Sequence, residues 1–313
     1  MNPLHLAARH GPYVLIGGLA AGLLLPSLAE PMRDLLAPLV VLLLFVTMLR
    51  MDPKAIVGSL SDLPKVALTV VGFQLVTPMI VIAFGYACGW TGTPVLLCLL
   101  IMTAAPSISG SPNMCMMMGH APEHAMRLMV VSTALLPLTA LPIFLFMPAL
   151  GDIQAVLEAG LRLSLTILGA TGAAIFVRKT VLRAPSQSTL LSLEGLGTLT
   201  LAIFVIGLMP SVSATALEDP ALAAFWIAFA CLANFGAQIV MFQLTRSRLP
   251  AARAAAVSLI AGNRNIAIFF VALPPEVTAP IMAFIGAYQI PMYLTPMIMR
   301  RFYGRGTPDG RST

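Results

Sequence analysis

An arginine stands between two asparagines inside an otherwise apolar stretch, Ser258-Leu259-Ile260-Ala261-Gly262-Asn263-Arg264-Asn265-Ile266. A guanidinium is charged at every physiological pH and presents its donors in a rigid fork. At the centre of a membrane-crossing helix it costs at least about 2.5–3.5 kcal/mol on insertion scales, so it must face the interior and find acceptors. Unwound carbonyls and the amides of Asn263 and Asn265 can supply them. Such a cation suits contact with an anionic solute or replacement of a coupling cation. The plainer alternative is a structural arginine that locks two helices together.

A second segment breaks an apolar run earlier in the chain, Ala105-Pro106-Ser107-Ile108-Ser109-Gly110-Ser111-Pro112-Asn113. Prolines and a glycine so placed cannot continue a regular helix. In lipid each freed backbone group costs several kcal/mol, so irregular backbone survives there only inside protein or beside a wet cavity. Ser109, Ser111 and Asn113 offer hydroxyl and amide ligands at such a place. An ordinary loop is the alternative, but the apolar run 114–118 that follows argues for a broken helix.

The remaining reactive side chains point to less. Glu194, in Ser192-Leu193-Glu194-Gly195, is either a proton relay or a helix-start carboxylate favoured by the macrodipole. His120 and His124 flank Glu123 at a spacing that suits a metal, but no further ligand is near, so no metal is expected. Cys88, Cys98, Cys115 and Cys231 form no CxxC pair and read as packed thiols. The methionines Met114, Met116, Met117 and Met118 read as packing.

The elements that must position these groups follow from composition. Hydrophobic residues make up 58% and charged residues 10% of the 313, and mean hydropathy is +0.93. A soluble domain carries about 25% charged residues; a chain this apolar needs hydrocarbon as its solvent. At roughly 20 apolar residues per span, the length holds about ten spans and leaves no room for a soluble catalytic or nucleic-acid-binding module. Hydropathy predicts spans at about 13–29, 35–49, 66–87, 94–105 with a continuation at 113–119, 128–146, 156–177, 190–209, 221–244, 252–273 with a central break, and 280–298. The run after His5, Arg9 and His10 reads as a retained first helix rather than a signal peptide, since no small-residue cleavage site follows.

Loop charges test this division independently. Basic loops carry Arg9; Arg50, Lys54 and Lys65; Arg127; Arg178, Lys179 and Arg183; Arg246, Arg248 and Arg253; and Arg300, Arg301, Arg305 and Arg311. The loops between them are acidic or neutral, with Arg33 and Arg162 as exceptions. Positive charge collects on the cytoplasmic side, so the alternation predicts an inner-membrane, multi-pass protein with both termini cytoplasmic. A faint duplication accompanies it. Gln74 in Gly72-Phe73-Gln74-Leu75 and Gln238 in Gly236-Ala237-Gln238-Ile239 each precede a broken span. Two halves with an odd number of spans each are inverted relative to one another, and paired interrupted helices in such repeats mark a solute site.

With Gln74 and Pro78, the 106–113 segment, Val131-Ser132-Thr133 and Gly262-Asn263-Arg264-Asn265 in this order, the chain resembles the bile acid:sodium symporter family and its wider bile/arsenite/riboflavin transporter superfamily. The resemblance covers nearly the whole chain. It implies an all-α polytopic fold of ten transmembrane helices in two inverted five-helix repeats (about 11–150 and 151–301), with broken helices 4 and 9 crossing, and a short tail at 302–313. The whole is then a single transmembrane transporter domain. Sodium-coupled members carry an acidic residue and a glutamine at the ninth-helix crossover, where this chain has Ile260 and Arg264, and hydroxyls early in span five, where it has Met126 and Val130. Arginine supplies no oxygen ligand, so sodium coupling is not expected.

The expectation is therefore a secondary transporter or facilitator of a small organic anion, a carboxylate of metabolism, working across the inner membrane without sodium, a cofactor or nucleic acid. Ser109, Ser111, Asn113, Asn263, Arg264 and Asn265 are the expected solute contacts. Gln74, Arg264 and Asn113 are the expected ion site or its sodium surrogate, with Asn113 near Asn263 or Arg264, and Glu194 is the candidate relay. A non-transporting sensor or assembly subunit on the same scaffold, and a sodium-coupled symporter, stay open. An enzyme is not expected, because the spans lack a pair of ionisable groups.

Overall fold

A computed structural model describes residues 2–51 and 62–304. Lys54, Arg305 and Arg311, expected in basic loops, lie outside the described residues. The architecture is all-helical, 84% helix with no strand among the described residues. Its helices are α1 (Pro3–Arg9), α2 (Gly11–Leu24), α3 (Pro26–Arg33), α4 (Leu36–Arg50), α5 (Leu63–Ala87), α6 (Pro94–Ala104) and α7 (Ser111–Met117). They continue with α8 (Glu123–Phe144), α9 (Ile153–Thr180), α10 (Gln187–Glu218), α11 (Pro220–Thr245), α12 (Ala251–Gly262) and α13 (Met282–Tyr303).

Local chemistry starts these helices where the sequence changes character. Thr93, Asp152, Ser186 and Asp219 each accept a backbone N–H of the first turn, and Pro94 and Pro220 follow two of these caps at the first helical position. A side-chain oxygen there satisfies a donor the helix leaves orphaned, and proline loses nothing by lacking an N–H. The turn from α5 to α6 passes through Gly89 and Gly92, whose φ of +71° and +77° disfavour any side chain.

Among the described residues six helices are long and apolar enough to cross a membrane: α5, α8, α9, α10, α11 and the stretch Pro275–Tyr303 that contains α13. Shorter apolar helices are α4, α6 and α12. Apolar side chains cover the outside as well as the inside: Leu168 on α9 is 68% exposed and Leu232 on α11 is 72% exposed. A surface of this kind fits a membrane protein, whose solvent is lipid. The first expected span departs from a single straight helix. After α2 the chain turns by 107° into Ser27–Arg33, and Leu25, the residue before Pro26, has left the helical region with ψ 71°, as the steric demand of a following proline requires.

The core joins α4, α6, α8, α9, α10 and α13, with Phe144, Phe204, Phe269 and Phe284 fully buried in it. α2 lies along α10 and α11 along both α12 and α13. At the end of α12 the approach is at backbone distance: a Cβ on Gly262 would collide with the Asn234 carbonyl of α11. Within α5 a π turn, Gly72–Val76, inserts an extra residue around Gln74. Such turns concentrate at functional sites, and this one carries Phe73 and Gln74 to the interior, where both are buried.

Candidate functional site

Both expected interruptions are present, and they meet. The first separates α6 from α7; the second separates α12 from a 3-10 turn, Ile266–Val271. Ser107 and Arg264 form an isolated antiparallel bridge. Around it Ile108 N–H donates to Asn263 O at 3.3 Å and Asn265 N–H donates to Pro106 O at 2.8 Å. Each break thus satisfies part of the other's freed backbone, which is how irregular chain is tolerated in an apolar interior.

Arg264 is 3% exposed and sits at this crossing. Its Nε donates to Ala261 O at 3.3 Å and its Nη1 to Ala105 O at 3.1 Å. Ala105 caps the C-terminus of α6, and Ala261 lies in the last turn of α12. Helix C-termini carry partial negative charge and unpaired carbonyls. Two of them converge on one guanidinium, and the ring of Phe73 lies beneath it with its centroid 4.5 Å from Cζ, a cation–π contact that is strongest when dry. Nη2 has no hydrogen-bond partner among the described residues.

The two breaks are supported alike. Ser107 N–H donates to Ser132 Oγ of α8 at 3.1 Å, and Arg264 N–H donates to Tyr288 Oη of α13 at 3.2 Å. Gln74 Nε2 reaches from α5 to Ser132 O of α8 at 3.1 Å, while Gln238 Nε2 reaches from α11 to Thr295 Oγ1 of α13 at 3.2 Å. Because Ser132 O can only accept, the amide of Gln74 must turn its nitrogen that way. Its Oε1 is then buried with no partner among the described residues.

The second break rests on a connected polar cluster. Asn234 Nδ2 donates to Gly262 O at 2.6 Å and to Asn263 Oδ1 at 3.4 Å; Thr295 Oγ1 donates to Asn263 Oδ1 at 3.2 Å; Tyr303 Oη donates to Gln238 Oε1 at 2.8 Å. Tyr288 Oη also donates to Gly262 O. Asn234, Gln238, Asn263 and Thr295 are all fully buried, and a network this completely bonded fixes a unique arrangement.

The remaining expected site residues divide. Ser111 Oγ accepts from Ser107 Oγ at 2.9 Å inside the first break, while Ser109 and Asn265 are half-buried at its edge. Asn113 turns away from the crossing. Its Nδ2 donates to Glu194 Oε1 at 3.1 Å, not to Asn263 or Arg264, and Glu194 Oε2 pairs with Arg50 Nη2 at 3.3 Å. Asn113 was expected within reach of Asn263 or Arg264; the hydrogen bond it makes is to Glu194 of α10, from the first turn of α7. Among the described residues no group of His, Cys, Asp or Glu gathers to hold a metal ion.

Asn234, Tyr288, Thr295 and Tyr303 were not among the expected site residues, and Arg50 was expected only as a loop charge. A signal existed for the first: Asn234 and Gln238 are one helical turn apart on the same face of an apolar helix. No protein-family model matches the chain, and no curated protein matches it.

Proposed function

We propose that the protein is a secondary transporter or facilitator of a small organic anion, with ten spans in two inverted halves and no requirement for sodium. The observation that carries this reading is Arg264, a buried guanidinium at the convergence of two broken-helix C-termini. Discontinuous helices whose ends meet inside the protein are the arrangement by which transporters present charge to a solute or an ion. The parallel support of the two breaks speaks for the repeat. Ser107 leans on Ser132 and Arg264 on Tyr288, while Gln74 and Gln238 each reach two spans onward.

The same observation argues against a sodium ion in that position. A sodium ion needs several oxygen ligands, and the carbonyls of Ala105 and Ala261 already serve a permanent cation. The unpartnered Oε1 of Gln74 is a buried polar atom left for a solute or its water. The solute class is a carboxylate, a planar anion matched to a guanidinium fork.

The test is uptake of radiolabelled acetate, succinate and benzoate into liposomes containing the purified protein. Accumulation above that of protein-free liposomes is expected for at least one of them. No uptake of any anion, together with no binding in detergent, would favour a non-transporting sensor on the same scaffold.

A further inference from the structure

Arg50, Glu194 and Asn113 come from three elements: the last turn of α4, the third turn of α10 and the first turn of α7. One oxygen of the Glu194 carboxylate takes Asn113 Nδ2 at 3.1 Å, and the other lies 3.3 Å from Arg50 Nη2. The place therefore already holds a carboxylate, gripped by one guanidinium and one amide N–H. Charge-assisted donors divided between the two oxygens are the usual means of recognising that group.

Three features make this more than a surface ion pair. The Arg50 and Glu194 side chains are 31% and 32% exposed, so the site can be reached without opening the core. Asn113 directly follows the first break, whose Ser111 and Ser107 lead by a hydrogen bond to the bridge with Arg264. Arg264 itself is buried and occupied by carbonyls, so Arg50 is the more accessible cation beside the broken segment.

Resting on the anion-transport reading, we propose that Arg50 and Asn113 form the first docking site for the carboxylate of the solute, and that Glu194 is a tethered competitor which occupies it until displaced. An ion pair as exposed as this one is a weak tie, while its tether gives Glu194 a high local concentration that an incoming anion must overcome. Displacement also cuts the Asn113–Glu194 bond between α7 and α10, so docking loosens the broken helix from its neighbour.

Full-length protein in detergent, titrated with acetate, succinate and benzoate, tests this by calorimetry. Glu194→Gln keeps the shape but cannot pair with Arg50, so at least one of these anions should bind about three- to tenfold more tightly. Arg50→Gln should lose affinity by about the same factor or more. Glu158→Gln removes a carboxylate whose partner Arg162 lies 3.9 Å away on the same helix, and should change nothing. Glu194→Ala gives a second readout that needs no affinity comparison: acetate should raise its unfolding temperature more than it raises that of the unmutated protein.

Equal or weaker binding by Glu194→Gln overturns the proposal, and so does wild-type affinity in Arg50→Gln. Should Glu194→Gln be too unstable to titrate, absence of the acetate effect in Glu194→Ala overturns it. If the unmutated protein transports a carboxylate but these variants behave like it, only the docking site fails. If Glu194→Gln binds carboxylates more tightly and no form of the protein moves any, the docking site stands and the transport reading fails.

Discussion

Ser107 and Arg264 face each other on an antiparallel backbone bridge, and each gives its own N–H to a hydroxyl of a different long helix, Ser132 on α8 and Tyr288 on α13. The bridge ties two segments that have no local means of satisfying their backbone. It also sets the guanidinium of Arg264 where two helix C-termini end.

Arg264→Ala removes the donor for Ala105 O and Ala261 O in a buried place. An unsatisfied buried acceptor costs about 1–3 kcal/mol, so a large drop in unfolding temperature in detergent is expected. Arg264→Lys keeps the charge without the fork and should lose less. Unchanged stability in Arg264→Ala would mean that the helix ends do not depend on it.

Gly262→Ala places a Cβ against the Asn234 carbonyl and the Gln238 side chain. Backbone cannot yield as a flexible side chain can, and overpacking of this kind costs about 1–3 kcal/mol. The variant should lose thermal stability and, because α12 is pushed from α11, should also lose carboxylate binding. An alanine tolerated with full stability would show that α11 and α12 do not meet at backbone distance there.

Asn234→Leu strips Gly262 O of one donor and Asn263 Oδ1 of another. The expected loss is about 1–3 kcal/mol, read as a lower unfolding temperature. Gln238→Leu, which orphans Tyr303 Oη, should be destabilising in the same way. If the two substitutions act through one network, the double variant should lose less than the sum of the two; strict additivity would separate them.

How much of this could be seen in the sequence depends on the kind of interaction. The breaks were legible because Pro106, Gly110 and Pro112 fall close together among serines and Arg264 puts a charge between two asparagines in an apolar run, whereas lone prolines such as Pro137 and Pro210 sit inside continuous helices. That the breaks pair at Ser107 and Arg264 was not, because a backbone bridge between remote segments leaves no side-chain pattern. The bond from Asn113 to Glu194 was not legible, since its direction depends on where α7 begins, a matter of one or two residues. Tyr288 and Thr295 read as ordinary members of an apolar helix; only packing against α11 and α12 gives them partners. The bend after α2 was signalled by Pro26, yet hydropathy runs smoothly through it.

Loop charge makes a separate prediction about orientation. Asp152 precedes α9 and Ser186 precedes α10, so α9 lies between them. With positive charge on the cytoplasmic side, a cysteine at Asp152 in a cysteine-free background should react with an impermeant maleimide added to intact cells. One at Ser186, beside Arg178, Lys179 and Arg183, should react only after permeabilisation. Labelling of both from outside would remove α9 from the membrane and overturn the span count.

On the proposed reading, Arg264 stands where a coupling cation would sit. The most direct measurement is uptake of a transported carboxylate into proteoliposomes, with sodium replaced by choline on both sides. Equal initial rates are expected in the two buffers, with no stimulation by an inward sodium gradient. Uptake that appears only when sodium is present would contradict it.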